Sequence, residues 1–166
     1  MDIRKAFMSD ITVGLATPKD WEPAMELVWK TFLRFEAGEY GREGTENFLN
    51  FISDEKLFKM FLSGNYKLML AKSEGRIVGV IGVRTGNHVS LLFVDESYHR
   101  QGIGRLLLSN MQRLVEEDKK SVRLTVNAAP YAVDFYKKVG FIATKDLQRS
   151  DGISYLPMEC LVRIDQ

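Results

Sequence analysis

The sequence predicts a mixed α/β domain with helices on both faces of a mostly antiparallel sheet. Between Tyr66 and Val94 three extended runs follow one another through short turns, the pattern of an antiparallel meander. Those runs are almost continuously apolar, as strands are when both faces of their sheet are covered. Helical periodicity precedes and follows them, so the chain has helices for either face.

Ile11 to Ala16 reads as a short first strand. Thr17-Pro18 supplies a capping hydroxyl and a proline at the first helical position. Met25, Val28, Trp29 and Phe32 recur at helical spacing, so a helix is expected to about Phe35, with Gly38 and Gly41 interrupting beyond it. A second helix is expected over Thr45 to Ile52, with Phe48, Leu49 and Ile52 on one side. Ser53 is the expected cap of a short third helix that turns Leu57, Phe58 and Phe61 inward. In the meander, Tyr66, Leu68 and Leu70 alternate, Ser73-Glu74-Gly75 turns into Ile77 to Arg84, and Thr85-Gly86-Asn87 turns into His88 to Val94.

A long helix is expected from about Gly102 to Lys120, burying Ile103, Leu106, Leu107, Met111, Leu114 and Val115. Val122, Leu124 and Val126 alternate as the next strand. Pro130 opens a helix with Ala132, Phe135, Tyr136 and Val139 on one face, and Gly140 closes it. Phe141 to Thr144 and Ile153 to Val162 are expected as a closing pair of strands around Asp151-Gly152.

The 166 residues suit one domain, and no repeat or low-complexity linker divides them. With 23 basic and 22 acidic side chains the net charge is +1, so neither nucleic acid nor an anionic membrane is favoured as a partner. The lone Cys160 excludes an intramolecular disulfide, and the start Met1-Asp2-Ile3-Arg4-Lys5 lacks the apolar stretch of a secretory signal. A cytoplasmic setting is expected. No apolar run approaches the roughly 18 residues that span a bilayer. His88, His99 and Cys160 lack metal-ligand spacing, so no metal site is expected.

Chemistry enters at Leu91-Leu92-Phe93-Val94-Asp95-Glu96-Ser97-Tyr98-His99-Arg100-Gln101-Gly102-Ile103-Gly104-Arg105. A strand leads through a polar loop and two glycines into an amphipathic helix. The first amides of a helix have no intrahelical partner, and the helix dipole adds positive charge there, so a phosphate fits. Gly102 and Gly104 would let it approach the backbone, with Arg100 and Arg105 at the rim. The same glycines also suit a plain strand-to-helix turn. A Walker loop is excluded by the missing Gly-Lys-Ser/Thr, and a dinucleotide fingerprint by Leu107 where a third glycine is required.

This stretch resembles motif A of the GNAT superfamily of N-acetyltransferases, Gln/Arg-x-x-Gly-x-Gly/Ala. Gly102 and Gly104 match the small positions, while His99 departs from the first, with Arg100 and Gln101 beside it. Phe135-Tyr136-Lys137-Lys138-Val139-Gly140-Phe141, within Val126 to Phe141, resembles the family's motif B signature Phe-Tyr-x-Lys-x-Gly-Phe. Gly152 to Glu159 is similar to its closing strand. The resemblance covers Tyr66 to Val162; the earlier residues match only in helical layout.

The resemblance implies a single acetyltransferase-like domain over residues 1–166 whose fourth and fifth strands splay apart. It implies acetyl-CoA as acetyl donor and a small-molecule or peptide amine as acceptor. Exposed strands that pair in such proteins would allow a homodimer. The pantetheine arm of coenzyme A would lie against Leu92, Phe93 and Val94, and its pyrophosphate against Arg100, Gln101, Gly102, Ile103, Gly104 and Arg105. Asn127 would contact the arm, although an Asn shortly before Pro130 also reads as a turn former. Tyr136 falls where the family places its general acid, while periodicity alone favours a core aromatic. The amide of Val94 is a candidate donor to the oxyanion. Glu36, Glu43 and His88 are candidate bases, each with a plainer reading as surface or turn residue. Arg84 would hold an acidic acceptor. Trp29, Phe32, Phe35 and Tyr40 would wall an acceptor pocket or simply fill core. The alternative function is a non-catalytic, coenzyme A-binding regulatory module.

Overall fold

The computed structural model describes residues 10–118 and 123–164. In chain order the elements are β1 (Ile11–Leu15), α1 (Trp21–Phe35), α2 (Ala37–Ile52), α3 (Glu55–Leu62), β2 (Tyr66–Ser73), β3 (Arg76–Arg84), β4 (His88–Val94), α4 (Ile103–Asp118), β5 (Leu124–Ala128), α5 (Val133–Lys138), β6 (Ile142–Ala143), β7 (Gln148–Ser150) and β8 (Ile153–Cys160). The sheet order is β1-β2-β3-β4-β5-β8-β6, with β7 pairing β8 off that path. Among the described residues, its one parallel pair is β4 with β5. The α/β class, the meander and the two-sided helical cover read from the sequence are all present.

Each face of the sheet has its own core. On one, Leu107, Leu108, Met111 and Val115 of α4 pack with Ala71, Ile81, Val126 and Met158. On the other, Val28 and Phe32 of α1 and Leu57 of α3 pack with Leu68, Val80, Leu91 and Phe93. Full burial of a Leu, Val or Phe side chain contributes roughly 1.5–3 kcal/mol, so these layers hold the helices against the strands. Among the described residues, no helix is long and apolar enough to cross a membrane.

Several boundaries differ from the sequence reading. Pro18–Asp20 forms a 3-10 turn, so α1 starts only at Trp21; the Asp20 carboxylate accepts from the amide of Thr17 at 2.7 Å and from its hydroxyl at 3.0 Å. Gly38 does not interrupt: α2 begins at Ala37 rather than Thr45, and the break falls on Gly41, whose φ of 69° is in the left-handed region. The cap of α3 is Asp54, which accepts from the Lys56 amide at 2.9 Å, while the Ser53 hydroxyl turns back to the Leu49 carbonyl. Asp151-Gly152, both at positive φ, joins β8 to β7, a three-residue polar strand with no pattern of its own, rather than to the strand near Phe141. Lys120 and Val122 lie outside the described residues.

The expected splay between the fourth and fifth strands is present, and a bulge explains it. β4 and β5 pair only at His88↔Thr125 and Val89↔Val126. Against β3, Val83 faces Val89 but Gly82 faces Leu91, so Ser90 is an extra residue in β4. Such a residue bends its strand and raises the local twist. It also changes which side the backbone addresses. The Asn87 carbonyl accepts from the Thr125 amide on the β5 side, whereas the Asp95 amide donates to the Val78 carbonyl on the β3 side. Backbone groups alternate sides along a regular strand, so residues at odd numbers would all face one neighbour. The bulge reverses that phase, and Leu92 and Val94 direct their N–H and C=O groups into the splay.

Candidate active site

A cleft fills the angle between the two diverging strands. β4 from Val89 to Phe93 and β5 from Val126 to Ala128 form its sides, Tyr136 of α5 closes one face, and Glu36, Tyr40 and Phe48 close the other. Backbone groups left unpaired in such a place require partners from a ligand or water. Phe93 turns its main chain toward Val80 of β3, so of the three residues expected along the cofactor arm Leu92 and Val94 carry the free edge. Asn127 lines the opposite side and stands across from Pro157 in the pairing of β5 with β8.

Tyr136 is 5% exposed, held edge-on between Phe135 at 5.3 Å and Phe141 at 5.2 Å. Burial raises its phenol above the ordinary value, and nearby Glu36 and Tyr40 act in the same direction. It therefore stays protonated at neutral pH. Glu36, at the joint between α1 and α2, has its carboxyl pushed up to about 7 by burial first and by Glu39 second. A carboxyl near 7 is poised to exchange protons under physiological conditions. A protonated phenol and a carboxyl near 7 thus line one cleft.

The other acceptor-side candidates lie elsewhere. His88 sits at the closed end of the splay, its Nδ1 2.8 Å from Thr125 Oγ1, and burial with Arg84 nearby lowers it to about 4. Arg84 is paired opposite His88 and lines a separate hollow with Lys67 and Asn87. Glu43 is exposed beside Gly152 at the β7–β8 turn. Of the four, the cleft contains Glu36 alone. The aromatics divide likewise. Tyr40 lines the cleft, Phe32 is fully buried and stacks on Phe48 at 4.1 Å and Trp29 at 5.8 Å, and Phe35 lies between His99 at 4.9 Å and Tyr131 at 5.6 Å.

The loop before α4 has the form of an anion nest. Arg100 and Gly102 take positive φ, 62° and 82°. Among the described residues, no hydrogen bond uses the main-chain N–H of any residue from Arg100 to Arg105; the first amide used is that of Leu106, to the Gly102 carbonyl. Successive unspent amides in this geometry make a concavity for an anion. Ile103, 1% exposed, anchors the loop, and Arg100 and Arg105 stay at the surface. Gln101 donates from Nε2 to the Ser97 carbonyl at 3.3 Å, leaving its buried Oε1 without a partner. Gly104 differs from the expectation: a Cβ there would stand 3.1 Å from Phe135 Cζ, so its small size serves the contact between α4 and α5.

Sequence reading missed Ser90. Its Oγ lies 2.6 Å from the hydroxyl of Tyr66, which is 1% exposed, and the residue lines the cleft. The available signal was one small polar residue in the apolar run Val89-Ser90-Leu91-Leu92-Phe93-Val94. Among the described residues, no group of three or more His, Cys, Asp or Glu is gathered as metal ligands would be.

A splayed mixed sheet with an amide nest at the end of one splayed strand is an arrangement suited to an extended, phosphate-bearing ligand. The family model described as an acetyltransferase (GNAT) domain matches residues 36–162. The chain belongs to the GNAT acetyltransferase family, whose members use acetyl-CoA. Solved structures agree in fold. A GCN5-related N-acetyltransferase from Rhodopseudomonas palustris superposes with a TM-score of 0.77 at 22% identity, over 91% of this chain and 95% of its own. PaiA N-acetyltransferase from Thermoplasma acidophilum, in complex with coenzyme A, gives 0.74 at 21% identity, over 92% and 99%. A GNAT acetyltransferase from Staphylococcus aureus Mu50 gives 0.70 at 18%, over 90% and 98%. No curated protein matches the chain by sequence.

Proposed function

We propose that this chain transfers the acetyl group of acetyl-CoA to a primary amine by direct attack on the thioester. The observation that carries this reading is the meeting of Tyr136 and Glu36 in the cleft whose edge leads to the free amides of residues 100–105. In this reading those amides, with Arg100 and Arg105, hold the pyrophosphate. The Leu92 carbonyl and the Val94 amide pair with the pantetheine amides, and Asn127 contacts the arm from β5.

An amine of ordinary pKa about 10.4 is protonated in water and cannot attack until a proton leaves. Glu36 accepts that proton and releases it to water, so that it can take the second one as the C–N bond forms. The Leu92 amide, aimed into the splay nearer its inner end than that of Val94, donates to the thioester oxygen as charge develops there. Tyr136 gives its proton to the departing thiolate and regains one from water as coenzyme A leaves. Both faces of the cleft contribute to one reaction.

Titration calorimetry with coenzyme A, followed by thiol release from acetyl-CoA across a panel of amines, tests the reading. Tyr136→Phe is expected to lower turnover by about 10²-fold or more, the usual worth of a positioned acid, while coenzyme A affinity stays within a few-fold. Coenzyme A binding with no turnover on any amine would replace this reading with a non-catalytic module.

A further inference from the structure

We propose that Ser90 is a further catalytic residue: its hydroxyl donates a hydrogen bond to the carbonyl oxygen of the acetyl thioester, and Tyr66 is the positioning residue that holds it there. This rests on the acetyl-transfer reading above. Ser90 is the extra residue of the β4 bulge, one position beyond Val89, the last residue of β4 paired with β5. It therefore stands at the inner end of the cleft, beyond which the strands are closed.

Three strands build this feature. Tyr66 of β2 reaches across Gly82 of β3 to Ser90 of β4. A Cβ at residue 82 would lie 2.1 Å from the Tyr66 hydroxyl, so the phenol occupies space that only a glycine leaves open. A buried phenol needs a polar partner, and Ser90 Oγ at 2.6 Å is that partner. Burial keeps the Tyr66 phenol protonated, which suits it to donate. With the Tyr66 hydroxyl as donor, one lone pair of Ser90 Oγ is engaged, and among the described residues the serine's own proton has only the Gly82 carbonyl at 3.5 Å, the outer limit of a hydrogen bond. That proton is free to move to a stronger acceptor. A chain of two hydroxyls is polarised as charge grows at its end, so the donor strengthens when the reaction needs it.

As the amine nitrogen bonds to the thioester carbon, the carbonyl electron pair moves to oxygen. It returns as the C–S bond breaks. The amine's surplus proton goes to Glu36, and the thiolate takes one from Tyr136. Ser90 gains and loses none, and stabilises only the oxygen.

Infrared difference spectra of carbonyl-labelled acetyl-CoA bound to the protein test this without turnover. A hydrogen bond lowers the carbonyl stretch, so the wild-type band should lie below that of Ser90→Ala, with Tyr66→Phe between them and Ser90→Thr near wild type. In parallel, Ser90→Ala should lower kcat about 10²-fold with KM for acetyl-CoA nearly unchanged. The double variant Ser90→Ala/Tyr66→Phe leaves no stranded phenol and should match Ser90→Ala alone. Coenzyme A binding with an identical carbonyl band in wild type and Ser90→Ala would overturn the Ser90 role and leave acetyl transfer standing. Failure of the wild-type chain to bind coenzyme A would remove both.

Discussion

The carbonyl of Val94 accepts a hydrogen bond from Nε2 of His99 at 2.6 Å. A carbonyl only accepts, so Nε2 carries the proton. Val94 directs that carbonyl into the splay, where β5 has already diverged. His99 thus supplies from within the chain one partner that the missing strand would have given. Leu92 and the Val94 amide remain for a ligand. The same ring lies against Phe35, which stacks on Tyr131, so side chains bridge the nest and the turn after β5.

His99→Ala should therefore destabilise the fold by about 1 kcal/mol, the net worth of one hydrogen bond. Urea unfolding monitored by Trp fluorescence reads this. His99→Gln, which can still donate from a side-chain amide, should recover most of it. Equal unfolding midpoints for the two variants would show that the lost contact is not the hydrogen bond.

Gly82→Ala should be more damaging. The new methyl would meet the Tyr66 hydroxyl at 2.1 Å and the ring carbons Cζ and Cε1 at 2.8 and 2.9 Å. Overpacking of this kind typically destabilises by 1–3 kcal/mol. Adding Tyr66→Phe removes the worst contact but not the ring contacts, so the double variant should regain only part of the loss. Full recovery in thermal unfolding would place the clash at the hydroxyl alone.

How far the sequence reached depended on the kind of signal. The meander was legible because Leu68, Val80 and Leu91 belong to nearly unbroken apolar runs, and the amide nest because Gly102 precedes an amphipathic helix. The bulge at Ser90 was not. Strict alternation puts Val89 and Leu91 on one face, yet they join opposite cores, because the inserted residue is visible only in the pairing with β3. β7 was invisible for a related reason: Gln148-Arg149-Ser150 becomes a strand through β8, not through its own pattern. Tyr136 was singled out from its motif, whereas that Glu36 and not Glu43 lines the cleft is visible only from the α1–α2 joint in three dimensions.

Glu36 makes two pH predictions of opposite kind. Its carboxyl stands at about 7 in the fold against an ordinary 4.5, so the folded state binds the proton more tightly. Stability from this group is complete below about 4.5 and is lost as pH rises through 7. Glu36→Gln should melt like wild type at pH 4 and above it at pH 8. Activity should run the other way. Wild-type kcat/KM should rise with pH through about 7 as Glu36 ionises, and Glu36→Gln should be slow with that limb absent. A rising limb that persists in Glu36→Gln would assign the base elsewhere.

The two loop glycines should fail for different reasons. Gly102 has φ of 82°, where an L side chain is strained by about 1–2 kcal/mol, so Gly102→Ala should lower both stability and coenzyme A affinity. Gly104 opens the helical turn, and alanine there gains up to about 1 kcal/mol of helix propensity. Against that gain stands the Phe135 ring, 3.1 Å from the new methyl. Phe135→Leu should relieve that crowding, so Gly104→Ala should be tolerated in that background and Gly102→Ala should not. A double-mutant cycle in melting temperature and coenzyme A affinity separates the two cases. Coupling of Phe135 to Gly102 as strong as to Gly104 would mean that the nest is shaped by the helix contact rather than by its own backbone.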